Sequence, residues 1–171
     1  MDRPNTSPPV SDGPKVKLPG YPLLLVGLAL ITIMVFYPYP FFWAIWIGIM
    51  LAFSGVLLVM NIPSPLSELA KGNWSPMILI ALSALFNGFF WEMWNYGSAH
   101  PTNPIANPNY WVYDVPYVNV IHIFSEMPLE GYFGYLPFGL MVWLMFIWAG
   151  KVFGFNTYLL KEDERKYNSE V

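Results

Sequence analysis

Four long apolar runs, at residues 22–37, 41–60, 76–97 and 128–150, constrain this chain more than any other feature. Crossing a bilayer takes about 20 mostly apolar residues of helix, because each backbone N–H and C=O must be satisfied inside the segment. Composition points the same way. Charged residues make up 11% of the chain, hydrophobic ones 56% and aromatic ones 19%, whereas soluble domains carry roughly 25% charged residues. The sequence therefore predicts an all-α integral membrane bundle of about four transmembrane helices.

Proline and glycine divide these runs. The Pro38-Tyr39-Pro40 turn, expected to hold neither helix nor sheet, makes the first two runs a helical hairpin. Ser75 is placed to cap the third helix with Pro76 at its first position. Pro137 and Gly139 are placed to kink the fourth. Residues 1–20, with three prolines in the first nine positions and then Gly13-Pro14, read as a disordered arm. The transmembrane domain covers 21–153, its outer loop 98–127, and a charged tail 154–171. The first run lacks a small-residue cleavage site and is read as a retained span rather than a signal peptide.

Charge orients the bundle. Every cationic residue (Arg3, Lys15, Lys17, Lys71, Lys151, Lys161, Arg165, Lys166) falls in the arm, in the 61–74 connection or beyond residue 150, and none in the 38–40 turn or in 98–127. Cytoplasmic loops carry the excess of Lys and Arg, so both termini are predicted cytoplasmic. The reading is a multi-pass protein of a bacterial cytoplasmic membrane. Tyr110, Trp111, Tyr113 and Tyr117 then form an aromatic belt at the outer interface. With no basic face, nucleic acid is excluded as a partner. With no Cys, disulfides, thiolate metal sites and thioether-bound haem are excluded as well, and no cofactor is predicted.

Two polar clusters carry the candidate chemistry. On the third helix Asn87, Glu92 and Asn95 fall within an arc of about 140° at 100° per residue, giving a polar stripe beside Trp91 and Trp94. A carboxyl inside a membrane costs about 2.5–3.5 kcal/mol at mid-span on insertion scales, so Glu92 should face protein or a cavity. The second cluster places His122, Glu126 and Glu130 at i, i+4 and i+8, interrupted by Pro128. If Ser125 caps the fourth helix, Glu126 lies in its first turn, where the helix dipole accounts for it. Glu130 lies a turn deeper, beside Gly131, Tyr132, Gly134 and Tyr135. No metal site is predicted. His122 and Glu126 are the weaker metal-ligand candidates, with Glu92, Glu130 and His100 as further oxygen and imidazole donors, without the Glu-x-x-His spacing that di-metal bundles use.

Two short motifs resemble known families. Pro128-Leu129-Glu130, followed by an aromatic and Gly-rich span, resembles the Pro-x-Glu-Glu stretch of the small membrane lycopene cyclase domains. Gly131 stands where that family has its second Glu, so only Glu130 carries over. The Leu85-to-Glu92 run resembles the Asn and Trp-Glu stretch of small integral-membrane terpene cyclases of fungal meroterpenoid pathways, in which the Glu is a proton donor. Together they cover about residues 80–150.

What the resemblance implies is acid-initiated chemistry on a carotenoid or other isoprenoid double bond (cyclisation, isomerisation or hydration). Glu92 and Glu130 would be acid and base, and Asn87, Trp91, Trp94, Asn95, Tyr132 and Tyr135 the substrate wall. The alternative is a non-catalytic subunit of a photosynthetic, respiratory or other membrane complex, binding pigment, quinone or lipid, with the carboxyls as interhelical struts. Four short spans barely enclose a cavity, so a homo- or hetero-oligomer is expected.

Overall fold

In the computed structural model the protein is described at residues 13–98, 110–114, 119–122 and 125–157. Its regular elements are helices: α1 (Gly20–Phe36), α2 (Pro38–Phe41), α3 (Ala44–Val59), α4 (Pro65–Glu68) with a 3-10 turn at Leu69–Lys71, α5 (Ser75–Ser98), α6 (Leu129–Tyr132) and α7 (Tyr135–Phe153). Two stretches are long and apolar enough to cross a membrane, α5 and the composite Leu129–Phe153. Helices α1 and α3 are shorter apolar helices of 17 and 16 residues. The expected arm at 1–12, most of the 98–127 loop and the tail beyond 157 lie outside the described residues.

Helix α1 ends at Tyr37 because the residue before a proline is driven out of the helical region, and its φ of −132° and ψ of 65° record that. The Pro38-Tyr39-Pro40 segment does hold one helical turn, contrary to the sequence expectation. The prolines sit in the first turn of α2, where backbone N–H groups have no intrahelical acceptor to lose.

The α1–α3 pair is held by glycines. Residues meet in antiparallel register, Gly20 against Val59, Gly55 against Leu24, Gly27 against Ala52 and Gly48 against Ile31. A methyl on Gly27 or Gly55 would sit on the opposing backbone, so the two axes approach as closely as small-residue interfaces permit.

The fourth apolar run is interrupted N-terminal to where the sequence suggested a kink. Its break lies at Phe133–Gly134, between α6 and α7. The cause is still Pro137, whose ring displaces the carbonyl four residues back, that of Phe133. Gly139 instead packs against Ala84 of α5. At the start of α5, Asn73 Oδ1 accepts the Ser75 N–H at 3.2 Å. At the end of α7, Gly154 adopts φ 74° and donates its N–H to Gly150 O at 2.8 Å, a conformation glycine takes without Cβ strain.

Helices pack side by side in the order α1, α3, α7, α5. The buried apolar cluster is Leu57, Leu66, Leu69, Leu144 and Ile147, at the end where the 61–74 connection crosses. Val16 and Leu18 pack on it. Residues 13–19 are therefore not a disordered arm. Gly13 and Val16 donate their N–H groups to Gly72 O and Leu69 O, and Trp74 Nε1 donates to Pro14 O at 2.9 Å. The apolar side chains of this segment and its backbone partners outweigh the proline and glycine content that suggested disorder.

The glycine seam makes a direct prediction. Gly55→Ala should destabilise the protein in detergent by about 1–3 kcal/mol through overpacking. Gly97→Ala, with nothing within 4 Å, should be neutral or stabilising by up to about 1 kcal/mol through helix propensity. Thermal unfolding of both variants checks this, and equal behaviour would contradict the close approach.

Candidate functional site

Glu92 is fully buried on α5. Its Oε1 accepts two phenol hydrogen bonds, from Tyr113 and from Tyr135 of α7, both at 2.6 Å. That is the length of short O–H···O bonds to a carboxyl group. Oε2 is buried with no hydrogen-bond partner among the described residues. One oxygen is thus saturated and the other open.

Local sequence explains each contact. Four residues before Glu92, on the same face of α5, lies Gly88, and the Tyr135 ring lies where a Cβ of residue 88 would be. Only glycine lets the ring lie flat on α5 and put its hydroxyl on Glu92. Three residues after Glu92, Asn95 grips the backbone of Trp111: Nδ2 donates to Trp111 O at 2.8 Å, and Oδ1 accepts Trp111 N–H at 3.2 Å. The amide imitates a strand neighbour and fixes segment 110–114 across the helix. Trp111 Nε1 donates to Tyr113 Oη at 2.8 Å, and its ring lies 5.9 Å from that of Trp91.

Beside this cluster runs a cleft of about 1290 Å³ between α3, α5 and α7. Trp43, Trp46, Trp91, Phe138 and Trp143 supply aromatic wall, and Asn87, Tyr113, Glu130 and Tyr135 also line it. Glu92 stands behind the wall, reached through the two tyrosines. No protein-family model, curated protein or solved structure matches the chain. Its chemistry has to be read from this geometry.

The predicted residues separate into groups. Glu130 lines the cleft and its Oε2 accepts the Ile121 N–H at 3.4 Å. It shares no hydrogen-bond partner with Glu92 among the described residues. The expected direct acid–base pair is therefore divided, one carboxyl at the cleft and the other behind it, because Tyr113 and Tyr135 occupy the space on Glu92 Oε1. Asn87 and Trp91 face the cleft. Asn95 is buried and serves the loop, not a ligand. Trp94 continues the same stripe but is 65% exposed and does not line the cleft, so it is not part of the wall. Tyr132 pairs with Ser125 Oγ at 2.8 Å, outside the cleft lining.

Glu126 does not lie in a first helical turn capped by Ser125, because the helix begins only at Leu129 with Pro128 as its N-cap. It hydrogen-bonds Tyr110 and, with desolvation adding, pushes that phenol from the ordinary 10.0 up to about 12. Burial, and then the Glu92 hydrogen bond, push the Tyr113 phenol up as well. His122 is exposed, and among the described residues no group of three or more His, Cys, Asp or Glu could hold a metal. His100 lies outside the described residues.

Sequence reasoning missed Tyr113 and Gly88 as parts of the site. Tyr113 was legible only as an interfacial aromatic. Gly88 carried a weak signal, a glycine one turn before a membrane carboxyl.

A double-mutant cycle tests the Gly88–Tyr135 arrangement. Tyr135→Phe should cost about 1 kcal/mol for the lost hydrogen bond, and Gly88→Ala about 1–3 kcal/mol. Adding Tyr135→Phe to Gly88→Ala should cost almost nothing further, because the ring has already left Glu92. Additive costs in thermal unfolding would refute the geometry.

Alkaline titration tests the loop tie. Because folding holds the neutral phenol of Tyr110, the contact to Glu126 is complete below pH 10.0 and is lost as pH rises through about 12. Tyrosinate absorbance should show Tyr110 ionising late, and Glu126→Gln should bring it back toward the ordinary range.

Proposed function

We propose that the protein is a four-span membrane enzyme, both termini cytoplasmic, that binds a long isoprenoid such as an acyclic carotenoid in its aromatic cleft and rearranges a double bond by proton transfer. Membrane residence is supported by the exposure of its apolar surface: only 11% of the apolar window of α5 is buried, and Leu79, Leu82, Phe86 and Trp94 of that helix are all exposed. A core helix of a soluble protein would hide them. Orientation follows from the one-sided lysines and arginines.

The observation that carries the reading is Tyr135, which lines the cleft and hydrogen-bonds the buried Glu92 at 2.6 Å. The carboxyl at the cleft surface, Glu130, is the acid. Its proton adds to an alkene carbon, the π pair becomes the new C–H bond, and a tertiary cation forms at the other carbon. The π pair of a second double bond of the same chain forms a C–C bond to that carbon, which leaves the positive charge on the far carbon of the second double bond, and the indole and phenol faces of the wall stabilise it. A proton then leaves the carbon next to the cation for the Tyr135 oxygen while the phenol proton passes to Glu92, and its C–H pair becomes the new double bond. The product has the mass of the substrate. No electrons change hands, and the cleft protects the cation from water.

A second reading has its own support. Glu92 and Asn95 together tie segment 110–114 to α5, a structural use that needs no reaction. In that case the cleft only holds pigment, quinone or lipid for a larger complex.

The experiment is product formation from an acyclic carotenoid by the purified protein. Glu130→Gln and Glu92→Gln should each lower turnover about 100-fold or more, as loss of an acid–base group does, with thermal stability and substrate binding retained. Undiminished turnover in both variants removes the catalytic reading. Bound carotenoid that the wild-type protein never converts establishes the holding role instead.

A further inference from the structure

The cleft is polar toward one end only. Along α5 it extends from Pro76 to Trp91, about 22 Å at 1.5 Å per residue. Pro65, Pro76 and Leu79 make its lysine-side end apolar, whereas Asn87, Tyr113 and Glu130 lie in the half toward the loop. An apolar chain therefore has a preferred direction in it, tail toward Pro76.

Asn87 stands at the middle of α5 and faces the cleft. Its Nδ2 donates to Ser83 O at 2.9 Å, and no donor among the described residues reaches its Oδ1. At mid-membrane an amide oxygen without a donor is costly, and the wall around it is apolar. The missing partner is a hydrogen-bond donor on the occupant.

Charge narrows what that donor belongs to. Residues 72–150 contain no Lys or Arg, but they contain Glu92, Asp114, Glu126 and Glu130. A phosphate or carboxylate head would meet acceptors and carboxyl groups with no cation to pair with, an arrangement that rejects anions. A neutral hydroxyl meets an acceptor at the right depth.

We propose that the cleft selects a single-chain isoprenoid lipid with an uncharged hydroxyl at one end, held by Asn87 Oδ1 with its tail toward Pro76, and rejects the phosphorylated form of the same chain. This rests on the reading of the cleft as an isoprenoid site and adds which end group it takes. With the hydroxyl at Asn87, the double bonds nearest the oxygenated end lie beside Tyr135, whose ring covers the neighbouring Gly88.

The test uses the full chain in zwitterionic nanodiscs and its own fluorescence, since Trp43, Trp46, Trp91 and Trp143 line the cleft. Geranylgeraniol, geranylgeranyl diphosphate and the hydrocarbon of the same chain length are titrated separately. The alcohol should bind about threefold to tenfold more tightly than the hydrocarbon, one hydrogen bond's worth, and more tightly than the diphosphate by at least as much. Asn87→Leu, and Asn87→Ala as a second variant at this exposed position, should abolish the difference in affinity between the alcohol and the hydrocarbon. Hydrocarbon and alcohol binding equally, the diphosphate binding as well as the alcohol, or an alcohol preference that survives both variants would overturn the hydroxyl assignment alone. Quenching by none of the three would remove the isoprenoid reading beneath it as well.

Discussion

The loop-side half of the molecule is organised around the Glu92 carboxyl. Through one oxygen it joins three stretches distant in sequence: α5 itself, Tyr113 of the segment 21 residues on, and Tyr135 of α7, 43 residues on. Taking a carboxyl into an apolar bundle carries a large desolvation cost, and the two phenols offset it on Oε1 only. Oε2 stays buried with no hydrogen-bond partner among the described residues. The wall of the cleft at this end consists of the same two tyrosines, so the element that fixes the loop also sets the boundary of the cavity.

The cavity lies where α3 and α5 flank α7. Glycines draw α1 and α3 into backbone contact, and Gly139 lets α7 settle on Ala84 of α5. Between α3 and α7 the contact is made by large rings, with Trp46 and Phe138 edge to face at 5.4 Å. Both α3 and α5 pack against α7, and the cleft lies between them. The cleft is bounded by large side chains of α3 and also by Tyr113 of segment 110–114 and by Met127 and Pro128 before α6. Toward the lysine-rich end the row is packed by Leu66, Leu69 and Val16, which come from the connection and the arm rather than from the spans.

Much of this architecture was legible in the sequence because it depends on local chemistry. Apolar runs gave the long helices, and Pro38 and Pro137 gave their ends and the break. The parts that were not legible depend on which neighbour a helix face meets. A wheel angle places Asn87, Glu92 and Asn95 on one broad face, yet Asn87 faces the cleft while the other two face the loop, because α7 and segment 110–114 divide that face between them. The path of the loop has no periodicity to read, so Tyr113 could be seen as an interfacial aromatic but not as a partner of Glu92. The i, i+4, i+8 spacing of His122, Glu126 and Glu130 promised one helical face. In the fold the first turn begins only at Leu129, which leaves His122 exposed, Glu126 with Tyr110, and Glu130 at the cleft.

The direction from which a ligand would enter follows from the same packing. At the lysine-rich end the connection and residues 13–18 cover the bundle with apolar side chains, and at the other end segment 110–114 is pinned across α5 by Asn95. The side between α3 and α5 is different, since α5 packs mainly against α7 and most of its apolar surface is exposed. On the proposed membrane reading, that exposed surface meets lipid tails and the cleft opens laterally into hydrocarbon. A substrate too apolar to cross the aqueous phase has its route there. An uncharged head can follow the tail through hydrocarbon, but a phosphate cannot do so without a desolvation cost far larger than one hydrogen bond returns. On that proposal, lateral entry and the lack of Lys and Arg in residues 72–150 would select for the same kind of molecule by independent physical means, one acting on the way in and the other at the site.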